Sequence, residues 1–130
     1  ELYSLDPASF VLRDLFFVKY EVANGGQREL ALHRDGSRWS FNVLLNPYEE
    51  FEGGGTYFEH DDSTHQIGKG DCLVHSGKLR HAGVAITSGR RLLLVGFVEE
   101  RYMKPAVDGN ATPGWAAEEA AAGAGAEAIS

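Results

Sequence analysis

From Leu15 to Glu99 the sequence runs in short apolar stretches, each cut after four to eight residues by glycine, asparagine or aspartate. That rhythm constrains the fold more than any other feature. Leu15–Val22, 29–33, Arg38–Leu45, 56–59, 64–67, 71–75, 79–86 and 91–99 read as strands rich in β-branched and aromatic residues. Asn24-Gly25-Gly26, Asp35-Gly36-Ser37, Asn46-Pro47, Gly53-Gly54-Gly55 and Thr87-Ser88-Gly89 read as the turns between them. Such spacing predicts an all-β domain, a sandwich or barrel, with a double-stranded β-helix (jelly roll) as the best fit.

Alternation within the strands locates the interior. In Arg38–Leu45, Trp39, Phe41 and Val43 share one face, while Ser40, Asn42 and Leu44 share the other. A polar face inside an apolar strand predicts a lined pocket. In Arg91–Glu99 both faces are apolar, so this strand is expected at the centre of its sheet. Asp6-Pro7-Ala8-Ser9 suits a short helical turn, and Tyr48–Glu52 reads as a loop. The expected domain is 1–100, with a short N-terminal segment. Residues 101–130 are expected to be an irregular tail, loosely docked or disordered, with helix propensity at Trp115–Ala122.

The charge balance, 12 basic against 19 acidic residues for a net −7, disfavours a nucleic-acid binder and permits a polypeptide or small-molecule substrate. Cys72, the single cysteine, excludes an intrachain disulfide and is expected to be a buried, inert thiol. No run approaches the ~18 apolar residues of a transmembrane helix, and Glu1-Leu2-Tyr3-Ser4 does not read as a signal peptide. No membrane partner is expected, and no compartment is assigned.

His33 and Asp35, two apart at a strand end, put an imidazole and a carboxylate on one face. His81 returns on a later strand. Two histidines and one carboxylate form the facial triad that suits non-haem Fe(II) and leaves three coordination positions open. Arg91 follows His81 by ten residues, early in the most apolar strand, where a guanidinium needs an anion and a carboxylate is the natural partner. Tyr20 and Thr56 could add hydroxyl donors. Taken singly, His33 is an ordinary strand-end histidine, Arg91 could pair with an internal glutamate, and Tyr20 and Trp39 are core residues. His60, His65 and His75 read as loop or second-layer histidines.

The ordered set His33-Arg34-Asp35, Glu52-Gly53-Gly54-Gly55-Thr56, His81-Ala82-Gly83 and Gly89-Arg90-Arg91 resembles the 2-oxoglutarate- and Fe(II)-dependent dioxygenases, in particular the prolyl 4-hydroxylase and lysyl hydroxylase catalytic domains. The similarity spans Phe16–Glu99. It implies that His33, Asp35 and His81 bind Fe(II), and that Arg91 holds the far carboxylate of 2-oxoglutarate. It also implies that Thr56, Tyr20 and Asn42 line that pocket, and that O2 is consumed with release of succinate and CO2. A C–H bond of a peptidyl proline or lysine would be hydroxylated, with ascorbate keeping the iron reduced. Little precedes Phe16 and Ala82 stands where the hydroxylases often carry Glu, so a non-catalytic jelly-roll module that keeps the metal site is the alternative. A cupin-type metal protein is a distant third, since His-x-His is absent.

Overall fold

The computed structural model describes residues 6–101; the tail expected at 101–130 and its helical segment lie outside them, apart from Arg101. Nine strands pack as two antiparallel sheets. They are β1 (Phe10–Glu21), β2 (Leu30–His33), β3 (Trp39–Leu44), β4 (Phe51–Gly53), β5 (Thr56–Phe58), β6 (Ser63–His65), β7 (Cys72–Ser76), β8 (His81–Gly83) and β9 (Ile86–Glu100). One sheet runs β1-β9-β3-β7, with β4 on the early part of β9; the other runs β2-β8-β5-β6. This mainly β sandwich is a jelly roll, in accord with the turn spacing.

The five-stranded sheet rests on one long pairing, with β1 antiparallel to β9 from Phe10 opposite Glu100 to Glu21 opposite Arg90. On its other side β9 takes β3, so the strand with two apolar faces is central, as its sequence requires. Alternation in β3 holds as well. Ser40, Asn42 and Leu44 are buried, while Trp39, Phe41 and Val43 are half-buried on the outer side. The buried core is Val18, Tyr20, Leu44, Phe51, Ile86 and Leu93, between the two sheets.

Four local readings change. Thr87-Ser88-Gly89 is not a turn but part of β9, because Phe51–Gly53 forms β4 and pairs with Ile86–Gly89. Gly89, at φ +78°, makes this possible: a Cβ there would collide with the Glu50 carbonyl oxygen as the chains cross. The strand expected over 79–86 shrinks to His81–Gly83, and β1 starts five residues earlier than its aromatic run suggests. Cys72 is exposed rather than buried. Its neighbour Val74, on the same side of β7, is exposed too, whereas His75 points inward. Asp6 caps the turn Pro7–Ser9, accepting a hydrogen bond from the Ala8 amide at 2.9 Å.

Candidate metal and 2-oxo acid site

Between the sheets lies a cavity lined by residues of both, among them His33, Asp35, His81, Tyr20, Thr56 and Arg91. His33 ends β2 and His81 opens β8, and the two face each other in register, with ring centroids 4.4 Å apart. Asp35 lies past the end of β2, so strand alternation does not place it. Its amide is held instead by the Gly77 carbonyl at 2.9 Å. From there the carboxylate reaches both rings: Oδ1 is 3.3 Å from His33 Nε2, and Oδ2 is 3.3 Å from His81 Nε2. One donor atom from each of the three residues lies within 4.8 Å of the others.

The second nitrogen of each ring decides what this cluster can hold. His33 Nδ1–H donates to the Ala31 carbonyl at 2.7 Å, and His81 Nδ1–H to that of Leu79 at 2.8 Å. Each imidazole is thereby oriented from behind, and in its neutral form presents the Nε2 lone pair to the carboxylate. Acceptor then faces acceptor, so a cation belongs between them. Burial would raise the Asp35 pKa, but hydrogen bonding from His33, His81 and Ser40 outweighs it and holds the carboxyl well below its usual range. The same hydrogen bond raises the His33 pKa against its partial burial. With no metal, a proton on His33 serves as the counter-charge; a divalent ion would displace it. Two imidazoles and one carboxylate are the donor set that suits ferrous iron.

Arg91 lines the same cavity. It is 3 % exposed, and its guanidinium meets no acidic side chain among the described residues. Its one protein hydrogen bond, to the Gly55 carbonyl, is long at 3.4 Å, and the group sits 5.5 Å from the centre of the Tyr20 ring. Burial lowers its pKa, with partial compensation from Tyr20 and Tyr48. Among the described residues no internal glutamate satisfies it. Arg90, one residue earlier, is exposed, as strand alternation requires. Gly54, at φ +77°, lets the chain cross close over this side chain, since a Cβ there would stand 3.2 Å from Arg91 Cδ.

Tyr20 lies opposite Arg91 in the β1–β9 register, and Thr56 faces the cavity from β5. Burial pushes the Tyr20 phenol pKa up, moderated by the Arg91 charge. Asn42 Oδ1 is the one buried side-chain polar atom without a partner among the described residues, and it too lines the cavity. His60 and His65 are exposed on the β5–β6 hairpin. Of the two readings of His75, loop or second layer, the second holds. It is buried on β7 and lines the cavity, with its ring 4.4 Å from that of His81 and 5.0 Å from that of Phe58. Burial lowers its pKa, and Nδ1–H donates to the Ser76 carbonyl at 3.0 Å. The register of β7 on β3, which sets His75 opposite inward-facing Ser40, is the signal that finds it.

The procollagen lysyl hydroxylase and glycosyltransferase of Acanthamoeba polyphaga mimivirus is 41% identical over 87 residues, covering 64% of this chain and 10% of that protein. Human procollagen-lysine,2-oxoglutarate 5-dioxygenase 2 is 35% identical over 88 residues, covering 65% of this chain and 12% of that protein. The chain resembles a prolyl/lysyl hydroxylase-like 2-oxoglutarate dioxygenase domain. It spans about a tenth of the length of these relatives. A viral collagen prolyl hydroxylase from Paramecium bursaria Chlorella virus-1, solved as a 2-oxoglutarate complex, shares the fold with a TM-score of 0.53 at 20% identity. That match covers 68% of this chain and 59% of the viral one. No family model matches the sequence. No helix among the described residues is long and apolar enough to cross a membrane.

Proposed function

We propose that this chain is an Fe(II)- and 2-oxoglutarate-dependent dioxygenase that hydroxylates an unactivated C–H bond. The observation that carries this reading is Arg91, a buried guanidinium without an acidic partner in the cavity that also holds the His33–Asp35–His81 cluster. A buried charge needs a counter-charge. A dicarboxylate with a 2-oxo acid at one end supplies it and joins the two subsites. In this reading His33, Asp35 and His81 hold the metal, and Arg91 forms the bidentate clamp on the far carboxylate. The Tyr20 and Thr56 hydroxyls donate to the same carboxylate. Asn42 offers its amide from the cavity wall.

When bound, ferrous iron with the 2-oxo acid supplies oxidative decarboxylation, consuming O2 and releasing succinate and CO2. The chain's own residues orient the co-substrate, exclude water with Val18 and Leu93, and aim both Nε2 atoms at the metal position through the Nδ1–H bonds to the Ala31 and Leu79 carbonyls. The named activities of the relatives support a peptidyl lysine or proline as substrate; in this reading ascorbate is the reductant that restores ferrous iron. The test is succinate formation from 2-oxoglutarate with ferrous iron, ascorbate and collagen-like lysyl or prolyl peptides. Peptide-stimulated turnover that disappears in His81→Ala is expected; no succinate above that variant contradicts the reading and leaves a non-catalytic module.

A further inference from the structure

The His-x-Gly pair on β8 contains a residue to which the proposed function gives no part. Gly83 lies two positions beyond His81, so both face the cavity from one three-residue strand. Its φ is not in the left-handed region; what Gly83 supplies is space. It stands opposite Leu30 of β2 on one side and Thr56 of β5 on the other. Tyr20, from the opposite sheet, extends its phenol across the cavity and ends on the Gly83 backbone. A Cβ on Gly83 would collide with the Tyr20 hydroxyl oxygen and stand 3.0 Å from Cζ and 3.2 Å from Leu30 Cβ. The landing cannot give easily: Tyr20 is 3 % exposed, and its ring also packs under the Arg91 guanidinium.

The hydroxyl at this landing has unused hydrogen-bonding capacity. Its oxygen makes no hydrogen bond among the described residues and, unlike the enclosed Asn42 Oδ1, opens onto the cavity. A buried phenol normally finds a partner. Here the phenolic O–H and the guanidinium share one cavity and both lack an acceptor strong enough to satisfy them.

The geometry points to Gly83 as a positioning residue: it is the seat that fixes the Tyr20 hydroxyl beside Arg91, so that phenol and guanidinium together form the carboxylate clamp. The inference rests on the co-substrate reading above and adds to it a mechanical link. The strand that carries the metal donor His81 also sets the clamp.

The experiment is a double-mutant cycle with Gly83→Ala, Tyr20→Phe and the pair. Three quantities are measured on each protein: Co(II) affinity from the visible absorption of the bound ion, 2-oxoglutarate affinity of the anaerobic Fe(II) protein, and Tm of the metal-free chain. Tyr20→Phe removes the colliding oxygen and leaves the 3.0 Å contact with Cζ and the 3.2 Å contact with Leu30 Cβ, which shifts of a few tenths of an ångström relieve. The seat predicts that each single variant loses about tenfold or more in 2-oxoglutarate affinity, the worth of one hydrogen bond to a charged group. It predicts that the pair is no weaker than Tyr20→Phe alone, and that Co(II) affinity stays within about twofold throughout. The pair should also melt above Gly83→Ala. Multiplicative losses in the pair, a parallel fall in Co(II) affinity, or a pair that melts no higher than Gly83→Ala would overturn it. If the unmodified protein fails to bind 2-oxoglutarate, the co-substrate reading falls, and the Tm comparison still decides whether Gly83 seats Tyr20.

Discussion

The five-stranded sheet contains strands of 12 and 15 residues, whereas no strand of the four-stranded sheet exceeds four. The long strands carry Tyr20 and Arg91, the short ones His33 and His81. The long sheet is supported along its whole length by its own ladder and by core residues such as Val18, Leu44 and Leu93. The short sheet has few ladder bonds; His33 and His81 are held from behind by backbone carbonyls, and His81 also packs on Phe58 of the neighbouring strand and, across the sandwich, on His75. The difference assigns two kinds of work. In the proposed function the long sheet presents the anion clamp, and the short sheet presents donor atoms that a cation would draw together.

Perturbing the two sheets should therefore have separable effects. The largest is expected at the metal: His81→Ala should weaken Co(II) or Fe(II) binding by more than about 100-fold, beyond what even an outer-shell partner is worth, as calorimetric titration would show. Equal affinity would remove His81 from the ligand set. Leu44→Ala, at a fully buried position of the long sheet, should cost about 2–5 kcal/mol in urea unfolding while metal affinity holds. A joint loss would mean that the two sheets do not act separately. Arg91→Met should leave the metal-free fold as stable as before or more so, by up to about 1–4 kcal/mol, because it removes a buried unpaired charge. A strongly destabilised variant would mean that Arg91 already has a structural partner.

The pH response sharpens the comparison further. The folded His33 pKa is raised above the usual 6.5, so its contribution to metal-free stability is complete below 6.5 and is lost as pH rises through the folded value. The folded Asp35 pKa is depressed below 3.8, so its contribution is present above 3.8 and lost as pH falls through the folded value. Metal affinity should run the other way from His33, rising with pH as the proton on Nε2 is released. Chemical unfolding and metal titration across pH 5 to 8 would check the two slopes, and parallel slopes would contradict the cluster's role. The smallest effect is expected at Cys72→Ser, within about 0.5 kcal/mol, because that thiol is exposed.

The sequence revealed the long sheet more clearly than the short one. Alternation in Trp39–Leu44 and the doubly apolar run after Arg91 identify the inner face and the central strand, because burial on one or both faces writes itself into the period. The chain at Thr87–Gly89 misleads because turn residues also suit a strand that must bend around a crossing carbonyl, here that of Glu50. Phe51–Gly53 is hidden by the acidic residues before it, which belong to the turn Tyr48–Glu50. In the site, His-x-Asp signals its pairing by spacing, yet Asp35 is positioned by a backbone bond to Gly77 that no local pattern announces. The exposure of Cys72 follows from His75: on β7 they face opposite ways, and fixing one fixes the other. The Gly83 seat depends on a side chain from the other sheet, so only the folded chain shows it.

The central claim is that the His33–Asp35–His81 cluster and Arg91 serve one bound molecule. It is tested most directly by anaerobic Fe(II) titration with and without 2-oxoglutarate, following the visible charge-transfer band of the chelate, in the unmodified chain and in Arg91→Ala. The account predicts a band that needs both components, vanishes in His81→Ala and requires far more 2-oxoglutarate in Arg91→Ala, with iron affinity preserved there. Iron binding without a band, or a band that forms at the same 2-oxoglutarate concentration in Arg91→Ala, would contradict it.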